Sequence, residues 1–177
     1  MRLGSDIFLA GLRGGPAMKS FIGTFVNKID AKGRISVPAP FRAVLQAKSL
    51  SGVTCYPALT GPCIEGCGLD RIEAMVETLP DDPIPSVDED AIAHLIFASA
   101  RDLPFDGGGR IVLPADFLKK ADLTDQGAFV GKGRTFQIWN PTALEAVQAE
   151  MFNRAMEERA AQVKEKAIGS KARTEAV

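Results

Sequence analysis

Aromatic and β-branched residues at Phe21, Phe25 and Ile29 predict a strand over residues 21–29. Residues 30–33 are turn material, since Asp can bond its own downstream backbone and Gly supplies a positive φ. Residues 34–37 alternate polar and apolar, so the chain returns as a second strand. Pro38 lacks the N–H that a ladder needs and ends it. It suits the first turn of a helix whose apolar face is Phe41, Val44 and Leu45. Residues 53–56 read as a strand, and residues 57–68 as a Gly-, Pro- and Cys-rich loop with one short strand at Cys63-Ile64. Leu69, Ile72, Val76 and Leu79 fall at helical spacing, predicting a helix over 70–78. Residues 80–85 break it.

Ser86-Val87-Asp88-Glu89 has the form of a capping box, in which hydroxyl and carboxylate each take the other residue's backbone N–H. It opens a helix to about residue 98, with Ile92, Leu95, Ile96 and Ser99 inward. The earlier pattern then recurs. A strand reaches Pro104, a turn spans 106–109, and a strand returns over 110–113. Pro114 precedes a short helix with Phe117, Leu118 and Ala121 inward. Residues 128–130 and 135–139 form a closing hairpin. Asn140 and Pro141 start a last helix in N-cap and first-turn positions, with Leu144, Val147 and Met151 as its stripe. Residues 169–177 read as a disordered tail.

The recurrence is a true repeat. Asp30-Ala31-Lys32-Gly33-Arg34 precedes Ile35-Ser36-Val37-Pro38-Ala39, and Asp106-Gly107-Gly108-Gly109-Arg110 precedes Ile111-Val112-Leu113-Pro114-Ala115. Asp, Gly, Arg, Ile, Pro, Ala and the following Phe all keep one offset of 76 residues. Each copy is too short to bury a core alone. The two are therefore expected to pair strands with each other and share one core. The fold class is α+β. Residues 18–98 hold the first repeat and its linker helices, and 99–150 the second. Residues 151–177 are a helical to disordered tail, and 1–17 a disordered extension.

Composition changes this picture little. The chain has 177 residues, 46% hydrophobic, with mean hydropathy +0.04. Those are values of a soluble globular protein. No stretch reaches the roughly 18 apolar residues of a membrane helix. Three cysteines, Cys55, Cys63 and Cys67, without a secretory signal read as free thiols in a reducing cytosol. With the single His94 they match no strong zinc spacing, and no metal or cofactor is expected.

Charge changes it more. Residues 18–50 carry six basic side chains against Asp30 alone, whereas residues 65–90 carry nine carboxylates against Arg71 alone. A basic unit joined to an acidic linker can bind a polyanion with one face and stay soluble with the other.

The paired D-x-x-G-R-[IVL]-x-[VIL]-P turns, each followed by a helix with an inward Phe, resemble the MraZ family. Ile138-Trp139 before a helix resembles the close of that family's second repeat. The resemblance covers roughly residues 18–150. It implies an AbrB-like swapped-hairpin β-barrel core with flanking short helices. It also implies a non-enzymatic, cytoplasmic, nucleoid-associated transcriptional regulator. Such a protein binds G-rich direct repeats in its own promoter, upstream of the division and cell-wall cluster, as a ring-shaped homo-oligomer. The family's DNA-contacting motif carries over to Asp30, Lys32 and Arg34, and to Asp106 and Arg110. Three places depart from the pattern. Gly107-Gly108 replaces polar residues, residues 63–68 lack the usual aromatics, and residues 1–17 match nothing.

The residues themselves admit this chemistry. Arg presents a planar fork that bonds guanine O6 and N7 together. Lys32 suits phosphate, and Gly33 and Gly109 allow close backbone approach. A carboxylate aimed at DNA is repelled, so Asp30 and Asp106 orient the arginines or brace the turns. Lys28, Arg42 and Lys48 are phosphate candidates, with solvated surface as the default reading. An Asp–Arg pair that closes a hairpin and touches no partner explains the same residues. The Gly-rich turn at 106–110 invites a phosphate-loop enzyme, but a strand-like segment follows it, with no Lys-Ser/Thr. An antitoxin or partner-binding module of AbrB-like fold is the further alternative.

Overall fold

The computed structural model describes residues 20–79 and 86–174, with side chains described up to residue 163. The expectations for residues 1–17 and 80–85 lie outside the described residues. The first half runs β1 (Thr24–Lys28), β2 (Arg34–Ser36), α1 (Ala39–Gln46), β3 (Gly52–Pro57), β4 (Cys63–Cys67) and α2 (Leu69–Glu77). Then come α3 (Val87–Ile92), continuing as a π-helical turn (Ala93–Phe97), β5 (Arg101–Pro104) and β6 (Arg110–Val112). The chain ends with α4 (Ala115–Lys120), β7 (Gln126–Gly131), β8 (Phe136–Trp139) and α5 (Pro141–Thr174).

The result is α+β, with antiparallel sheets. One sheet has the order β1-β7-β8-β4-β3-β5, and β2 and β6 form a separate two-stranded ribbon. Four of the six ladders join the two halves: β1 with β7, β3 with β5, β4 with β8, and β2 with β6. Only β3–β4 and β7–β8 stay within a half. Neither half could satisfy its strands alone, as expected for units too small to enclose a core.

One core is built from both halves. Ile35, Phe41, Leu45 and Ile64 pack in one cluster with Ile111, Phe117, Phe129 and Phe136. Phe41 sits at its aromatic centre, with ring centroids 5.2 Å from Phe21, 5.5 Å from Phe25, 6.3 Å from Phe129 and 5.3 Å from Phe136. A second cluster, Tyr56, Cys67, Ile72 and Ile96, fastens α2 and the π-turn to the sheet.

The structure corrects three local expectations. Residues 63–67 form a full strand between β3 and β8, not a loop with a short strand. Gly66 makes it possible, because a Cβ there would lie 2.4 Å from the Phe136 ring. Of the α2 stripe only Ile72 is buried, while Leu69 and Val76 are exposed. The π-turn inserts a residue into the α3 helix and resets its phase, so Ile96 turns inward and Leu95 is exposed. The capping box forms as expected, with Ser86 N–H donating to Glu89 Oε2 at 2.6 Å and Glu89 N–H to Ser86 Oγ at 3.3 Å.

Residues Thr142–Val177 are a compact unit of their own. Its helix runs to Thr174, past the expected end at Gly169. Ala, Glu, Gln, Lys and Arg dominate the stretch after Asn153, and their summed propensity outweighs one glycine, which costs about 1 kcal/mol. Met151 was expected on an inward stripe, but it is exposed, as are Phe152 and Met156.

Candidate nucleic-acid interface

The two repeated turns have the same geometry. Asp30 Oδ1 accepts the backbone N–H of Lys32 at 2.9 Å and of Arg34 at 3.0 Å, and Oδ2 accepts Arg34 Nε at 2.6 Å. Asp106 Oδ1 accepts the N–H of Gly108 at 2.8 Å and of Arg110 at 3.0 Å, and Oδ2 accepts Arg110 Nε at 2.7 Å. Each carboxylate thus closes its turn and grips the Nε edge of its arginine. The Nη groups carry no hydrogen bond among the described residues, so the outer edge of each fork is left open. Gly33 and Gly109 sit at φ +74° and +71°, which a side chain would strain.

Both carboxyls are held below the ordinary aspartate value. In each the largest cause is the backbone N–H of the arginine, Arg34 or Arg110, which favours the charged form. A lowered folded pKa contributes stability in full above the unfolded value. That contribution is lost as pH falls through the folded value. Asp30→Ala is therefore expected to lower the Tm. The double variant Asp30→Ala/Asp106→Ala is expected to show a flatter Tm–pH curve below about pH 4 than the parent. Thermal melts across that range check this, and parallel curves would remove the bracing role.

The turns do not crown two separate hairpins, as the sequence pattern suggested. β1 and β2 form no ladder: an isolated bridge, Ile29 to Ile35, joins the two segments, and Asn27 Nδ2 donates to the Ser36 carbonyl at 2.7 Å. Instead β2 pairs with β6 in the register Arg34↔Val112, Ile35↔Ile111 and Ser36↔Arg110. The central pair, Ile35 and Ile111, consists of repeat-equivalent residues, so the ribbon has a local two-fold through it. Both isoleucines are buried. By strand alternation Arg34, Ser36, Arg110 and Val112 all stand on the opposite, outer face. One ribbon face therefore presents both carboxylate-gripped arginines.

The other expected residues are placed less uniformly. Lys32 is exposed in its turn, and Lys28 is exposed at the end of β1. Lys48 pairs with Asp70 at 2.8 Å. Arg42 is half-buried, and its Nη1 donates to the Val37 carbonyl at 2.8 Å. Its side chain lies so close to the second turn that a Cβ on Gly109 would be 2.7 Å away. Arg42 thus ties α1 to the other repeat's turn. Ser36 and Val112 were missed from sequence. The period-two rule applied to residues two beyond each arginine finds them.

The cysteines lie in β3 and β4, outside the ribbon. Cys55, Cys63 and Cys67 are buried and free, and burial pushes the Cys63 and Cys67 thiols up to about 12. Such thiols are inert at neutral pH. Among the described residues no cluster of His, Cys, Asp or Glu is placed to hold a metal ion, and no helix is long and apolar enough to cross a membrane.

Comparison with known proteins identifies the family. Residues 96–165 match the family model described as "MraZ protein, putative antitoxin-like". A Rhodospirillum rubrum protein named transcriptional regulator MraZ is 48% identical over 140 residues, covering 76% of this chain and 88% of that protein. The protein of that name from Rickettsia typhi is 43% identical over 145 residues, covering 80% of this chain and 95% of its own length. That from Rickettsia akari is 45% identical over 131 residues, covering 72% and 86%. Identity at this level over most of both chains, together with the doubled turn, places this chain in the MraZ family.

Proposed function

We propose that this chain is a non-enzymatic transcriptional regulator that reads double-stranded DNA with the β2–β6 ribbon. The observation that carries this is the single outer face on which both arginines stand with their Nη edges open. A two-stranded ribbon fits the major groove, and an arginine fork there pairs with guanine. Gripping Nε on a carboxylate fixes each fork before DNA arrives, which lowers the ordering cost of binding. Lys28, Lys32 and Arg42 flank the face and supply phosphate contacts that set register but carry no sequence.

The finer reading follows the family. The targets are G-rich direct repeats upstream of its own gene, at the head of the division and cell-wall cluster. The protein works in the cytoplasm, on the nucleoid, as a ring-like homo-oligomer that sets successive ribbons against successive repeats. The interleaved strand pairing supports an AbrB-like swapped-hairpin core made from repeats at 18–98 and 99–150.

Footprinting on the DNA upstream of its own gene tests this. Periodic protection is expected, and binding should weaken steeply with salt, by about one power of concentration for each phosphate neutralised. Absence of binding at low salt would overturn the reading. The antitoxin-like wording of the family model favours a second possibility, a partner-binding module. Co-purification with a small basic protein, without promoter binding, would select it.

A further inference from the structure

The ribbon breaks its own symmetry on the reading face. The 76-residue offset that relates Arg34 to Arg110 also relates Ser36 to Val112. In the observed register, however, Arg34 lies opposite Val112 and Arg110 opposite Ser36. Directly opposed side chains on one face have Cβ atoms about 4.5–5.5 Å apart. Each arginine therefore takes its neighbour from the other repeat. Arg34 stands beside an aliphatic surface, and Arg110 beside a hydroxyl.

Strand propensity tolerates a valine here, but burial in the core gives no reason for one. Val112 is 54% exposed, while its strand neighbours Ile111 and Leu113 are buried in the core and hold β6 in place. A lone exposed aliphatic residue is ordinary on a protein surface. What distinguishes Val112 is its place, in the outer face of a ribbon between two outward forks. In the major groove thymine alone offers a methyl group, and small aliphatic side chains recognise it by contact. A serine at the equivalent position offers a hydroxyl, which bonds to several base edges and selects weakly.

Resting on the DNA-binding reading above, we infer that Val112 is a specificity residue that packs on a thymine methyl next to the guanine read by Arg34. The Ser36/Val112 difference then gives the ribbon a direction. A strictly two-fold ribbon reads both orientations of a site alike and cannot follow the polarity of a direct repeat. The Lys32/Gly108 difference also breaks the two-fold, but a phosphate contact carries no base information.

The test compares the full chain with Val112→Ser on two probes. One is a fragment of the DNA upstream of its own gene. The other is the same fragment with deoxyuridine in place of thymidine, which deletes only the methyl groups. The parent is expected to bind the methyl-free probe more weakly by about fourfold per site, the value of one buried methyl-sized contact. Val112→Ser should bind the natural probe as weakly as the parent binds the methyl-free one, and should not distinguish the two. The position is exposed, so the Tm of the variant should match the parent. If Val112→Ser keeps the parent's methyl dependence, or if the parent has none, the inference is overturned while the DNA reading stands. If the parent binds neither probe, or if Arg34→Ala binds as well as the parent, the DNA reading itself fails, and the inference with it.

Discussion

Arg34→Ala is expected to abolish sequence-specific DNA binding and to leave the fold intact. The Arg34 side chain is 36% exposed and its ion pair with Asp30 lies at the surface, where such pairs contribute little to stability. Its loss to the fold is small. Its loss to binding is large, because one bidentate contact discriminates a base by about 1–3 kcal/mol, roughly 5- to 150-fold. In an oligomer that engages several sites at once, that loss is multiplied. The two-fold in the ribbon register gives Arg110 the same standing, so Arg110→Ala should match it. The Gly107-Gly108 turn offers no side-chain donors of its own. The backbone N–H of Gly108 makes the same bond to Asp106 that Lys32 makes to Asp30, so the grip on the arginine survives. Titration of each variant against promoter and scrambled DNA, with thermal melts alongside, decides the matter. Parent-like affinity in a folded Arg34→Ala would reduce the turn to a brace.

Phe41→Ala is expected to be the most damaging single truncation for stability. The ring is 0% exposed and touches four other rings drawn from both halves of the chain. Truncating a buried phenylalanine costs about 3–5 kcal/mol, which lowers the Tm of a domain this size by roughly 10–15 °C. Phe117 is its repeat equivalent and is buried as fully, at 1% exposure. Among the described residues it makes no ring–ring contact, so it lacks the extra ~0.5–1.5 kcal/mol that each such pair adds. Phe117→Ala should therefore cost less than Phe41→Ala. Denaturant titration of both variants gives the order, and an equal cost would show that ring packing adds nothing beyond burial.

Much of the fold was legible because its signals are local. Asp30 bonds atoms two and four residues on, so its turn can be read without knowing the partner strand. The Ser86–Glu89 capping box and the proline-led helix at Ala39–Gln46 are local in the same way. The β4 strand was misread because its cause is remote. Gly66 looked like loop composition until Phe136, 70 residues away, was seen to need the space. The phase of the helix after Val87 was lost to a π-turn that no spacing rule anticipates.

The chain by itself determined the duplication, the two Asp–Arg turns, the buried phenylalanines and the basic character of the first repeat. Each follows from residue type and spacing over a few positions. Only the tertiary structure decided that the two turns are one surface. Strand pairing is a choice among distant partners, and alternation constrains which face a residue takes but not which strand lies beside it. The pairing of β2 with β6 placed Ile35 against Ile111, and that contact turned two separate arginines into a single outward face.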